Sequence, residues 1–156
     1  MKKINYLILL VVVLVGVSCE PTYTKTYSWA YPVAGDWMVK VTVDGAPVSW
    51  QLKPFEIKSY NSSFGKDSIW IDDYAAFWPM KFKAAVNMTS KSFQTPGSMN
   101  LEASSVDGLY YPVVITNGKI VGNDSIYFEA VFGDDPTTTY VLAGHREVSY
   151  EEYTQQ

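Results

Sequence analysis

Apolar and polar residues alternate along much of the chain. Trp37, Val39, Val41 and Val43 are each separated by one residue, and a period of two is typical of a strand with one buried face. Similar short segments follow, separated by turn residues such as Asp44-Gly45. The predicted strands cover residues 37–43, 49–61, 67–72, 81–88, 99–103, 113–116, 119–121, 125–132 and 138–146.

Two dipeptides are predicted to turn the chain between strands. Asn117-Gly118 is the strongest short hairpin signal, and Pro96-Gly97 precedes another predicted strand. Residues 73–79 are the only region predicted to be irregular or briefly helical. Eight or nine short strands without a long helix predict an all-β protein with a single antiparallel up-and-down barrel of about eight strands; a β-sandwich is the alternative.

The N-terminus has the pattern of a lipoprotein leader. Lys2 and Lys3 precede an apolar run over residues 4–17, and Ser18 stands directly before Cys19. The run is shorter than the about 20 residues that a transmembrane helix needs, and it is typical of a signal peptide. An ordinary signal peptide followed by an incidental cysteine is the alternative.

This leader predicts how the chain is divided and where the protein is located. We expect a lipoprotein signal peptide over residues 1–18, a lipidated tether over residues 19–34 that begins at Cys19, and a barrel domain over residues 35–156. The predicted partner is a membrane, reached through the lipid on Cys19. The predicted location is the bacterial cell envelope, on an outer membrane and facing the periplasm.

The charge balance excludes nucleic acid as a partner. The chain has 12 basic and 16 acidic residues, a net charge of −4, and removal of the leader takes away two lysines. A nucleic-acid-binding domain needs a basic face, which this composition does not supply.

The residues predict no metal and no cofactor. Zinc needs at least three nitrogen or sulfur ligands in most sites, and the chain has one histidine and one cysteine. The acidic pairs Asp72-Asp73 and Asp134-Asp135 stand at turn positions, where we expect solvated turns rather than calcium ligands.

Gly35 and Trp37 begin the first strong strand, and Arg146, the only arginine, ends the last one. This arrangement resembles the structural signature of calycin barrels such as lipocalins. The resemblance implies that the guanidinium packs across the indole ring and closes one end of the barrel, where its donors satisfy carbonyl groups. We therefore expect a structural role for these three residues.

Three motifs extend the resemblance to one family. They are GDWMV at residues 35–39, DSIYF at 124–128 and TYVLAGHR at 139–146. In this order they resemble the Bacteroidetes-type lipid-binding putative hydrolases, which are calycin-like β-barrel lipoproteins. The similarity runs from about residue 35 to residue 153, although the tail after Arg146 departs from the family's Thr-Gly-Phe. It implies a protein that binds a lipid or another apolar ligand.

The family name also raises the alternative of a hydrolase of a lipid or glycan ester. A catalytic triad would need His145, the only histidine, as the base for a serine with a carboxylate behind it. The chain has no Gly-x-Ser-x-Gly elbow. The residues therefore favour a binding protein over an enzyme, and no catalytic residue is predicted.

Aromatic residues in two predicted loops indicate where a ligand would bind. Residues 73–79 and 107–112 are expected at the mouth of the barrel, where aromatic rings would contact an apolar guest. The predicted ligand-binding residues are Trp70, Phe77, Trp78, Tyr110 and Tyr111. A structural or protein-binding lipoprotein without a ligand is the third alternative, because a barrel of this size can be filled by its own side chains.

Overall fold

The computed structural model describes residue 24 and residues 26–147. The predicted signal peptide, Cys19 and the chain after residue 147 lie outside the described residues. The described part contains nine strands. They are β1 (Gly35–Val43), β2 (Ala46–Pro47), β3 (Phe55–Asn61), β4 (Ser68–Asp72), β5 (Lys81–Asn87), β6 (Ser92–Met99), β7 (Pro112–Val121), β8 (Ser125–Phe132) and β9 (Asp135–Arg146).

The long strands form a closed antiparallel barrel. β1 pairs with β3, each later strand pairs with the next one along the chain, and β9 pairs back with β1. The two-residue strand β2 pairs with the end of β1 and is not part of this closed set. The predicted all-β, single antiparallel barrel of about eight strands is confirmed, and it is consistent with a calycin-like barrel.

Side chains of the protein itself fill the interior. β8 shows the pattern most clearly, because Ile126, Phe128, Ala130 and Phe132 are buried while the residues between them are not. The largest side chains without solvent contact include Trp37, Phe82, Phe93 and Phe128. Closing the sheet therefore produces a packed core, since an eight-stranded barrel is just wide enough for side chains to fill.

Antiparallel pairing sends successive loops to opposite ends of the barrel. The end that we call the aromatic end is formed by residues 44–54, 73–80, 100–111 and 133–134. The opposite end, which we call the Arg146 end, is formed by residues 62–67, 88–91 and 122–124 together with the segment before β1. The two loops predicted to form the mouth thus lie at the same end.

The Arg146 end is closed by contacts around the Trp37 indole. The guanidinium carbon of Arg146 lies 4.3 Å from the centroid of the Trp37 ring. The guanidinium also donates hydrogen bonds to the carbonyls of Ala34 and Asn123. A Cβ atom on Gly35 would collide with a guanidinium nitrogen, so the close approach requires glycine at that position.

Residues 28–34, which we assigned to the tether, also cover this end. The indole N–H of Trp37 donates to Ser59 Oγ at 2.8 Å, and the Ser59 hydroxyl donates to the Val33 carbonyl at 2.7 Å. Ala30 and Val33 have no solvent exposure. These residues of the predicted tether therefore pack against the barrel.

The predicted hairpin turn at Asn117-Gly118 is wrong, because β7 runs straight through it. The pairing of β7 with β8 shifts register between Thr116 and Lys119, so the dipeptide forms a β-bulge. Asn117 has a φ of 53°, which asparagine tolerates better than most residues. A Cβ atom on Gly118 would collide with the backbone of Phe93, so the bulge brings two strands into close contact.

The predicted turn at Pro96-Gly97 is also wrong, since both residues lie inside β6. The backbone pairing between β5 and β6 ends at Ala85 and Gln94. Pro96, two residues further along β6, has no N–H to donate to a partner strand. Closer to the aromatic end, a side chain bridges the two strands, because the backbone N–H of Lys83 donates to Ser98 Oγ at 3.4 Å. We call the part of the wall around Lys83 and Ser98 the seam. The predicted strand 99–103 is loop beyond Met99.

Candidate functional site

Six aromatic side chains form a cluster at the aromatic end. They are Trp50, Phe55, Phe77, Trp78, Phe132 and Tyr140. Trp50 stacks on Phe77 with ring centroids 4.9 Å apart, and Trp78 stacks on Phe132 at 4.8 Å. Phe77 is 8% exposed whereas Trp50 is 56% exposed. This aromatic cluster therefore fills the end of the barrel, and Trp50 forms its solvent-facing layer.

The loop between β4 and β5 presents two of these rings, and one buried carboxylate holds its shape. Oδ1 of Asp73 accepts from the N–H groups of Ala75 at 2.9 Å and Met80 at 3.0 Å. Oδ2 accepts from the N–H groups of Phe77 and Trp78, both at 3.0 Å. Burial raises the pKa of the Asp73 carboxyl, and these hydrogen bonds counteract part of that effect.

The expectation that Asp72-Asp73 forms a solvated turn is wrong. Asp73 has no solvent exposure, and Asp72 is also buried and pairs with Lys81 Nζ at 3.0 Å. Tyr74 and Ala75 follow with φ values of 52° and 58°, a conformation that is uncommon outside glycine. Because the carboxylate accepts four N–H groups, it stabilises a backbone shape that these residues do not favour on their own.

The second acidic pair is tied to the aromatic cluster. The indole N–H of Trp78 donates to Asp134 Oδ1 at 3.2 Å, and the Tyr140 hydroxyl donates to Asp135 Oδ2 at 2.8 Å. Burial and the hydrogen bond to Asp135 raise the pKa of Tyr140 to about 12. The hydrogen bond to Asp135 therefore fixes the hydroxyl end of the ring.

The loops around the cluster leave large apolar side chains in solvent. Loops of the aromatic end hold most of the large apolar residues that are exposed in the described part of the chain. They are Trp50, Leu52, Tyr74, Leu101, Val106, Leu109 and Tyr110. A concentration of exposed apolar groups at one end marks a surface for apolar ligands, membranes or other proteins.

The structure brings three of the five predicted ligand-binding residues together. Phe77 and Trp78 belong to the aromatic cluster, and Tyr111 lines a narrow cleft beside Trp78 that has no room for a water-sized molecule. Tyr110 lies at the same end and is largely exposed. Trp70 lies elsewhere: its neighbours along β4 face the core, and its ring faces outward under Lys83 Nζ. Including Trp70 among residues that line the mouth is therefore a mistake.

The sequence prediction omits Trp50 from the site because it treats residues 49–61 as one strand. β3 begins only at Phe55, so Trp50 and Leu52 belong to a loop at the aromatic end. Val106 and Leu109 were missed because no rule of alternation applies to a loop. Apolar residues between turn residues, as in residues 101–111, are the signal that could have identified them.

A second concavity lies on the outer wall at the seam. It has a volume of about 530 Å³ and is lined by Phe64, Lys83, Gln94, Pro96 and Ser98, among others. Its walls combine apolar groups of Phe64, Ala85 and Pro96 with polar and charged side chains. Its size is in the range of small-molecule pockets, but it is widely open to solvent.

The only histidine stands apart from the aromatic end. His145 is exposed near the Arg146 end of β9 and lies opposite Ser125 across the strand pair. The Ser125 hydroxyl donates to Asp124 Oδ1 at 3.0 Å instead of to His145. This arrangement does not have the serine–base hydrogen bond of a triad.

The described residues contain no group of three or more His, Cys, Asp or Glu side chains that could hold a metal ion. They also form no helix that is long and apolar enough to cross a membrane.

Comparison with known proteins identifies the family. The model of one family, described as lipid-binding putative hydrolase, matches residues 22–151. No curated protein matches the chain. The family match spans the whole barrel, from the segment that covers the Arg146 end to the last strand. The chain therefore belongs to the family of lipid-binding putative hydrolases.

Proposed function

We propose that this protein binds the apolar chain of a lipid at the aromatic end of its barrel. The observation that carries the proposal is the aromatic cluster itself, whose outer ring, Trp50, stacks on Phe77 and is 56% exposed at that end. Membership of a lipid-binding family supports the same class of ligand. Removal of apolar surface from water supplies the binding energy, at about 25 cal/mol for each Å² buried.

The packed interior restricts where the lipid can lie. Side chains occupy the barrel below Phe77 and Phe132, so an acyl chain has to contact the cluster from outside or displace its outer layer. Trp50 is the residue to displace, because it rests on Phe77 by one stacked face and has solvent on its other side. The loop of residues 44–54 would then move with it, so that the Trp50 ring leaves Phe77 and packs against the acyl chain instead.

A titration with a fluorescent fatty acid tests this proposal. We expect saturable binding of a dansyl-labelled fatty acid, with energy transfer from the protein's tryptophans. Trp50→Ala should weaken binding by about tenfold or more, because it removes a large aromatic contact. Trp70→Ala is the matched control, since that ring lies on the outer wall, and its binding should equal that of the parent.

Two results of this titration would contradict the proposal. One is the absence of saturable binding by the parent protein. The other is an equal loss of affinity in Trp50→Ala and Trp70→Ala, which would mean that the aromatic end has no special part in binding.

We further propose that the protein is lipid-anchored in a bacterial envelope through Cys19. The basic residues, the apolar run and the small residue before the cysteine support this location. Replacement of Cys19 by alanine should move the protein from the membrane fraction to the soluble fraction or stop its processing. Unchanged partition of that variant with membranes would contradict the anchor.

A further inference from the structure

The exposed apolar residues of the aromatic end are concentrated on opposite sides of the barrel. Loop 44–54 follows β1, and loop 100–111 follows β6, four strands further around the closed set of eight. Leu52 in the first loop is 68% exposed, and Val106 in the second is 89% exposed. The third loop, residues 73–80, lies between them and exposes Tyr74. Three loops therefore present apolar tips around one rim.

We propose that these loops dock the aromatic end onto the surface of a lipid bilayer. Tips spread around a rim can touch a flat surface at the same time. A side chain as exposed as Val106 has few neighbours, so a rigid protein partner would need a separate pocket for each tip, whereas a fluid interface accommodates all of them. Tryptophan and tyrosine with leucine and valine are also the residues found where proteins meet the membrane–water interface.

The charge of the aromatic end selects the kind of bilayer. Carboxylates with solvent exposure outnumber lysines at this end, where Lys53 is the loop lysine: they are Asp44, Glu102, Asp107 and Asp134 in the loops and Asp135 at the start of β9. Within the described residues none of these five forms an ion pair with a lysine or arginine, while Lys81 is paired with Asp72. An anionic surface would repel this end. The preferred partner is a zwitterionic bilayer, held by apolar contact.

This inference goes beyond the proposed function, because a protein can bind single lipid molecules without docking on a membrane. It gives the protein a way to reach lipids that are scarce in water. The docking surface also faces away from residues 28–34, which cover the Arg146 end. Docking therefore uses a different part of the molecule from the N-terminal segment.

Flotation with phosphatidylcholine vesicles tests the docking. Every barrel strand lies within residues 35–146, so the experiment can use the chain from residue 20 onward, without the apolar leader. The double variant Leu52→Asp/Val106→Asp removes apolar contact on both sides of the rim. Phe64→Asp is the matched control, because Phe64 is 83% exposed but lies at the Arg146 end.

We expect the parent and Phe64→Asp to float with the vesicles and the double variant to lose about 90% or more of its partition, as expected when charge replaces inserted apolar groups. Adding phosphatidylglycerol to the vesicles should weaken the parent's partition, and salt should restore it. Failure of the parent to float with phosphatidylcholine, equal partition of the double variant, or a requirement for phosphatidylglycerol would overturn the docking.

Binding of the dansyl-labelled fatty acid separates this inference from the proposed function. The double variant should keep fatty-acid binding, because Trp50 and Phe77 are unchanged in it. If it loses fatty-acid binding together with flotation, the rim residues act as part of the ligand site and the separate docking role is wrong. If the parent floats but binds no fatty acid, docking stands and the proposed function fails.

Discussion

Arg146 connects separate parts of the chain at one end of the barrel. Its guanidinium carbon lies 4.3 Å from the centroid of the Trp37 ring and 5.7 Å from that of Tyr31, and the guanidinium donates to backbone carbonyls on two different segments. A planar cation with several donors can stack and donate hydrogen bonds at once, which a lysine ammonium cannot. This residue therefore joins the first strand, the last strand and the segment that precedes the barrel.

Replacement of Arg146 by alanine should lower the free energy of unfolding by about 1–3 kcal/mol, since both the ring contact and the hydrogen bonds are lost. Lys83→Ala is the control, because Lys83 also lies over a tryptophan ring, at 5.3 Å from its centroid, but on the outer wall. Its effect should stay below about 1 kcal/mol. Urea unfolding followed by circular dichroism measures both values, and equal losses would contradict the closing role of Arg146.

At the scale of elements, the loop of residues 73–80 is the part of the aromatic end whose shape depends most on one side chain. Asp73→Asn should lower the free energy of unfolding by about 1–3 kcal/mol, because the amide places N–H donors against backbone N–H groups that need acceptors. Near-ultraviolet circular dichroism should also weaken as Phe77 and Trp78 lose their fixed positions. Thermal unfolding of the same variant gives an independent measure.

Asp67→Asn is the control for this substitution. Asp67 is exposed, and its side chain accepts a hydrogen bond from the neighbouring Ser68, so its replacement should change stability by less than about 0.5 kcal/mol. If Asp73→Asn unfolds like this control, the buried carboxylate does not hold the loop.

The strands could be predicted wherever alternation alone determined them. Residues 125–132 are predicted as a strand and form β8 with the same bounds. Alternation does not predict the structure where a contact with a distant strand determines the backbone conformation. Gly118 fits against Phe93, and a β-bulge results where the dipeptide by itself predicts a hairpin.

The candidate site could be predicted only in part for the same reason. Phe77, Trp78 and Tyr111 were recognised as loop aromatics, but burial of Asp73 depends on how the loop folds over the barrel end. Likewise, no strand pattern surrounds Val33. Its burial accompanies a hydrogen bond from the Ser59 hydroxyl to its carbonyl, and Ser59 in turn accepts from the Trp37 indole. Local sequence does not contain these distant contacts.

At the scale of the whole molecule, the two ends of the barrel differ in how they are closed. The Arg146 end is closed by a cation, a buried indole and hydrogen bonds to backbone carbonyls. The aromatic end is closed by stacked rings and surrounded by exposed apolar residues. Among the described residues, Trp50 is held by stacked rings and no side-chain hydrogen bond, so it is easier to displace than the polar network. The proposed lipid would therefore enter at the aromatic end.

Photocrosslinking with a fatty acid that carries a diazirine on its chain tests this central claim most directly. We predict that labelled peptides map to residues 44–54, 73–80 and 100–111, and that an excess of unlabelled fatty acid removes the label. Labelling that maps instead to the Arg146 end or to the seam around Lys83, or that unlabelled fatty acid does not remove, would contradict lipid binding at the aromatic end.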